Sequence, residues 1–85
     1  MTYDSIRQKL LSIGLKATQQ RINIYDTLMR LGNHPRAEQV YEEVRKNNPS
    51  ISLATVYKTL DTFVSKGLIH KVFTQDDYMR YETNT

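Results

Sequence analysis

Apolar positions recur along this chain at two spacings, and the change from one to the other divides it. In YDSIRQKLLSIGL, Ile6, Leu10 and Ile13 recur at helical intervals and Leu11 widens the stripe, predicting a first helix. Gly14 suits the residue just past a helix end, with Leu15 able to pack back across it. In KATQQRINIYDTLMRLG, Thr18 predicts an N-cap. The apolar residues Ile22, Ile24, Tyr25, Leu28, Met29 and Leu31 cover more than half of that helix, as befits a central element touched on several sides. Asn33-His34-Pro35 breaks the chain, because proline disfavours helix in the residue before it. Ala37, Val40, Tyr41 and Val44 then mark a third helix, ended by Asn47-Asn48-Pro49. Ser52 caps a fourth, whose inner side is Leu53, Val56, Leu60, Phe63 and Val64 and which Gly67 closes.

After Gly67 the period falls from 3.6 to 2. LIHKVFT and MRYET read as two strands joined by Gln75-Asp76-Asp77-Tyr78, a hairpin-length connection. Four helices followed by one hairpin predict a mainly α fold with a C-terminal β-hairpin, the winged helix-turn-helix pattern. With 85 residues there is room for one domain, spanning 1–85, around a single modest core.

The fourth helix carries a second pattern. Ala54, Thr55, Lys58, Thr59 and Thr62 fall away from the core side, where helices in water usually carry Glu, Lys and Gln. Acid is absent until Asp61. Small side chains let a helix enter a major groove, threonine can meet thymine methyls or phosphates, and a carboxylate would repel the backbone. Tyr57 stands at the margin of the core side, able to pack inward or lay its ring on a base. On residues 52–60 alone, a helix merely poor in surface charge reads equally well; the helix-turn-helix setting favours DNA.

Charge agrees without deciding. The net charge is +3, and residues 51–71 set Lys58, Lys66 and Lys71 against Asp61, a basic excess compatible with nucleic acid. Absence of cysteine excludes disulfides and thiolate metal sites within these residues and fits a cytoplasmic protein. No apolar run approaches a membrane span, and MTYDSIRQKL lacks a signal-peptide pattern. No cysteine nucleophile, Gly-rich phosphate loop or His/Asp/Ser set points to an enzyme. The rival to a DNA-binding module is a winged helix used for protein–protein contact, although no exposed apolar patch or acidic reading helix projects from the pattern.

GLKATQQR (14–21), HPRAEQVYEEV (34–44), SLATVYKTLDTFVSKGLI (52–69) and RYE (80–82) resemble the N-terminal domain of the ferric uptake regulator family, metal- and peroxide-responsive transcription factors. The resemblance runs over essentially the whole chain, and S-x-A-T-V-Y is its most specific part. It implies a winged-helix DNA-binding domain whose partner domain, for dimerisation and metal sensing, lies beyond Thr85. It implies repression of metal-uptake or peroxide-stress genes through an AT-rich inverted repeat, bound as a homodimer of the full-length protein.

Residue by residue, the resemblance implies that Tyr57 contacts thymines, that Lys16 reaches into the minor groove, and that Arg21 meets a phosphate. Thr55 fits a phosphate or methyl contact by position. Lys58 stands where the family commonly has arginine, keeping the charge without the bidentate fork. His34 and Glu82 match metal ligands, and imidazole with carboxylate suits Fe(II), Mn(II) or Zn(II). The other ligands, including a His-x-His pair, would come from beyond the chain's end, so residues 1–85 are expected to bind no metal tightly. His70 matches no family role and is expected to be structural. The acidic tip Gln75-Asp76-Asp77 is unlike a phosphate-touching wing and is expected to point away from DNA or toward the other domain.

Overall fold

The computed structural model describes residues 2–83. Four helices precede one hairpin: α1 (Tyr3–Ser12), α2 (Gln19–Leu31), α3 (Ala37–Val44), α4 (Leu53–Ser65), β1 (Ile69–Phe73) and β2 (Met79–Thr83). The mainly α winged helix-turn-helix expectation holds.

Local chemistry explains where the helices start. Thr18 Oγ1 accepts from the Arg21 amide at 3.2 Å, and Ser52 Oγ accepts from the Thr55 amide at 3.1 Å, so both expected N-caps are made. At α3 the Gln39 side chain reaches back to accept from the Arg36 amide at 2.8 Å.

Two helix ends are built alike. Gly14 and Gly67 adopt φ of +82° and +72°, the left-handed region that costs glycine little. The Leu15 amide then donates to the Leu10 carbonyl at 3.0 Å, and the Leu68 amide to the Phe63 carbonyl at 2.9 Å. Both are Schellman closures, and each buries the leucine that follows its glycine.

α2 packs against α1, α3, α4 and β2, which confirms its central place. Its Ile22, Ile24, Tyr25 and Leu28 are buried with Val40, Val56, Leu60 and Phe63 in one core. The Tyr25 and Phe63 rings meet edge to face, centroids 6.1 Å apart. α1 packs on α2 alone, so its buried stripe is only Ile6 and Leu10, and Leu11 is exposed rather than part of the core. Leu53 and Val64 are half-buried at the edges of the inner side of α4.

The hairpin is antiparallel with Ile69 opposite Thr83, His70 opposite Glu82 and Phe73 opposite Met79. Its base is in the core through Ile69 and Tyr81, whereas Phe73 is 77% exposed. The Tyr81 amide donates to the Pro35 carbonyl at 3.0 Å and Arg36 bridges to Arg80, which fastens β2 to the α2–α3 turn.

Candidate nucleic-acid interface

The inner side of α4 buries Val56, Leu60 and Phe63, and this fixes which residues face outward. Ala54, Tyr57, Lys58 and Asp61 are exposed, and Thr55 and Thr62 are half-buried. Thr59 departs from the expectation of an outward residue: it is only 8% exposed. The cause is the start of α2, which flanks α4 there and leaves a groove between them. Thr59 lines it with Thr55, Lys58, Thr62, Lys16 and Arg21, and no carboxylate takes part.

Four of the five residues expected to meet DNA therefore share one groove: Lys16, Arg21, Thr55 and Lys58. Arg21 pairs with no carboxylate among the described residues. Its Nη1 donates to the Lys16 carbonyl at 3.1 Å, which folds the guanidinium over the start of its own helix. Two cations from the α2 end and one from α4 thus face the same channel. In a setting without acid, these charges produce a positive potential that attracts a polyanion.

Tyr57 lies apart from this groove, on the side of α4 facing α3. Its hydroxyl donates to Glu38 Oε2 at 2.7 Å while the residue stays 37% exposed. The hydrogen bond stabilises the carboxylate, so it holds Glu38 below the usual glutamate range and raises the Tyr57 phenol. Tyr57 neither packs wholly inward nor stands free. Glu38 was not anticipated as part of this surface; its α3 pattern reads as an ordinary solvated acid.

A second cluster lies where β2 meets the α2–α3 turn. Asn33 and His34 both take positive φ, +49° and +53°, in the tight turn before Pro35. Arg80 Nη1 donates to the His34 carbonyl at 3.2 Å, and so holds that turn against β2. His34 Nδ1 consequently lies 3.7 Å from Glu82 Oε2, too far for a hydrogen bond. That nitrogen is buried and has no hydrogen-bond partner among the described residues. The same Glu82 oxygen is 3.0 Å from His70 Nε2 across the hairpin. His70 is therefore a cross-strand partner of the expected carboxylate ligand, a contact compatible with the structural part expected of it. Among the described residues, no three His, Cys, Asp or Glu side chains are arranged to hold a metal ion.

The acidic tip is partly neutralised from within. Asp76 accepts from the Arg80 guanidinium, from the Thr74 hydroxyl and from the Tyr78 amide. The arginine contact is foremost in holding the Asp76 carboxyl far below the usual aspartate range. The Arg36 guanidinium stacks over the Tyr78 ring, 4.4 Å from its centroid, which ties the tip to the start of α3.

A helix pair, an exposed second helix beside a cationic groove and a hairpin wing define a winged-helix domain of the DNA-binding class. Residues 12–85 match the ferric uptake regulator family, and the chain belongs to it. Members of this family are transcription regulators rather than enzymes. The chain is 35% identical over 78 residues to the ferric uptake regulation protein homolog of Archaeoglobus fulgidus, an alignment covering 91% of this chain and 60% of that protein. It is 32% identical over 72 residues to the peroxide-responsive repressor PerR of Staphylococcus aureus, covering 85% and 49%. The fold superposes on a zinc-bound manganese uptake regulator with a TM-score of 0.84 at 30% identity, covering all of this chain and 62% of that one. The chain thus spans half to three-fifths of the relatives it matches.

Proposed function

We propose that residues 1–85 form the sequence-reading DNA-binding domain of a metal-dependent transcriptional repressor of metal-uptake or peroxide-stress genes. The observation that carries this reading is the groove: Lys16, Arg21 and Lys58 gather on the open side of α4 with no carboxylate among them. In this reading α4 enters the major groove. Thr55 and Tyr57 meet base edges or the adjoining backbone, while Lys16 and Arg21 hold the flanking phosphates. The wing is held off the duplex at its acidic tip. The target in this reading is an AT-rich inverted repeat; the inversion follows because a homodimer of the longer protein sets two reading helices about one helical turn, roughly 34 Å, apart. The cytoplasm, where a prokaryotic chromosome lies, is its place of action.

His34 and Glu82 are the metal ligands this domain contributes to that regulator. Supporting this, a buried imidazole nitrogen with no hydrogen-bond partner among the described residues faces a carboxylate oxygen at 3.7 Å. Nitrogen with oxygen is a donor set suited to Fe(II), Mn(II) or Zn(II). Two ligands close no coordination shell, so the remaining ones come from the longer protein, and metal there fixes the angle between the two domains.

The test is selection of duplexes from a randomised pool by the 85-residue chain, followed by a salt titration. An AT-rich half-site should emerge, bound weakly and with steep salt dependence. Lys58→Glu should abolish binding while the far-ultraviolet circular dichroism stays unchanged. Recovery of no preferred sequence, or a Lys58→Glu protein that binds like the parent, would sink the assignment. Nanomolar, metal-dependent binding by residues 1–85 alone would refute the division of ligands.

A further inference from the structure

An acid beside a surface meant for a polyanion needs a reason. Glu38 lies in the first turn of α3, is exposed, and adds negative charge next to α4. Phosphates would be repelled by it. Foremost among the interactions of its carboxylate is the 2.7 Å hydrogen bond from Tyr57.

That bond constrains Tyr57 in two ways. A tyrosine on a helix surface has two side-chain torsions, and a hydrogen bond at the far end of the ring fixes both. The phenol has one proton, and Glu38 receives it. What remains for an outside partner is chiefly the ring, on a residue that is still 37% exposed. A ring edge or face offers apolar contact, and the thymine 5-methyl is the major-groove group that rewards it.

We propose that Glu38 is a positioning residue for DNA readout, a tether that holds Tyr57 by its hydroxyl so that the ring alone reads a thymine methyl. This rests on α4 being the reading helix. The hydroxyl proton is committed inside the protein, so Tyr57 donates no hydrogen bond to a base. The electrostatic cost of Glu38 is offset by a fixed ring and by the discrimination that a fixed ring allows.

The experiment uses the duplex selected above and copies with uracil in place of single thymines, which removes one methyl at a time. For the parent chain, one such replacement should weaken binding about fivefold, the loss of one good apolar base contact. Glu38→Ala and Tyr57→Phe should each cut that preference to about twofold or less. The double variant should be no worse than either single one, because both changes break the same bond. Glu38→Gln keeps an acceptor and sheds a charge, so it should keep the methyl preference and bind every duplex more tightly. Thermal melts confirm that each variant is folded.

If Tyr57→Phe loses the preference and Glu38→Ala keeps it, the hydroxyl reads the base and the tether is wrong. The tether is equally wrong if both variants keep a preference that Tyr57→Ala abolishes. If Tyr57→Ala itself keeps affinity and preference, the reading-helix assignment fails first and takes the tether with it.

Discussion

Arg21 Nη1 donates to the Lys16 carbonyl at 3.1 Å, so one cation of the groove is fastened to the backbone of the residue that carries another. A guanidinium held in this way loses less freedom on meeting a phosphate than a lysine that samples many rotamers. The same bond gives the 14–18 turn a fixed path into α2, and with it the placement of Lys16.

The first prediction follows from that coupling. Each phosphate neutralised by a lysine or arginine contributes about 0.9 to the slope of log binding constant against log salt on duplex DNA. Lys58→Ala should lower the slope by about that amount. Arg21→Ala should lower it by more than one contact's worth, because Lys16 is loosened with it. Arg21→Lys should recover the charge without the second effect. Equal slopes for the parent and Arg21→Ala would show that this corner of the groove never meets a backbone.

Tyr81 supplies a pH prediction. Its side chain is buried at the base of the wing, and burial, the main cause, pushes the phenol from 10.0 up to about 12. A folded-state value above the unfolded one favours the protonated, folded form. The contribution is therefore complete below about pH 10 and is lost as pH climbs toward 12. Denaturant melts across that window should show falling stability for the parent chain. Tyr81→Phe should flatten the fall, at the expense of the 3.3 Å contact from its hydroxyl to Met79 Sδ. A parallel alkaline decline in Tyr81→Phe would assign the loss to other groups.

Much of this architecture is legible in the sequence because it is local. The stripe Val56-Leu60-Phe63, the caps at Thr18 and Ser52 and the closures at Gly14 and Gly67 each depend on residues within a few positions. What the sequence conceals depends on two distant segments meeting. Thr59 projects outward on an isolated helix and becomes enclosed only once the start of α2 lies beside it. The Tyr57 bond to Glu38 joins residues 19 positions apart across the α3–α4 angle. His70 and Glu82 depend on register. A four-residue connection at 75–78 would pair Thr74 with Met79 and put Lys71 opposite Glu82. The strands instead close at Phe73 and Met79, and this single-residue shift sets the histidine beside the carboxylate.

The two Schellman closures give a stability prediction. An added Cβ at Gly67 would meet no atom within 4 Å, so Gly67→Ala carries backbone strain without a clash. At φ of +72° that strain is about 1 kcal/mol, equivalent to a fall in melting temperature of roughly 4–8 °C for a domain of this size. Gly67→Asn should cost less, because asparagine visits the left-handed region more readily. A variant as stable as the parent would mean that the α4 end relaxes into another cap, and the Leu68 amide would then lose its bond to Phe63.

The core itself separates packing from polarity at one contact. Tyr25 and Phe63 are both fully buried, and their rings meet edge to face. The Tyr25 hydroxyl has no hydrogen-bond partner among the described residues, so its burial brings a desolvation cost with no compensating bond. Tyr25→Phe keeps the ring and removes that cost, and it should leave the domain as stable as before or about 1 kcal/mol more so. Phe63→Ala removes the facing ring, opens a cavity beneath α4 and should cost about 3–5 kcal/mol. A domain this small has little more than that in reserve, so Phe63→Ala should be only marginally folded at room temperature. Urea melts of the two variants decide the matter. A Tyr25→Phe protein destabilised by more than 1 kcal/mol would show that the hydroxyl holds a structural bond after all, and that the centre of the core is polar as well as packed.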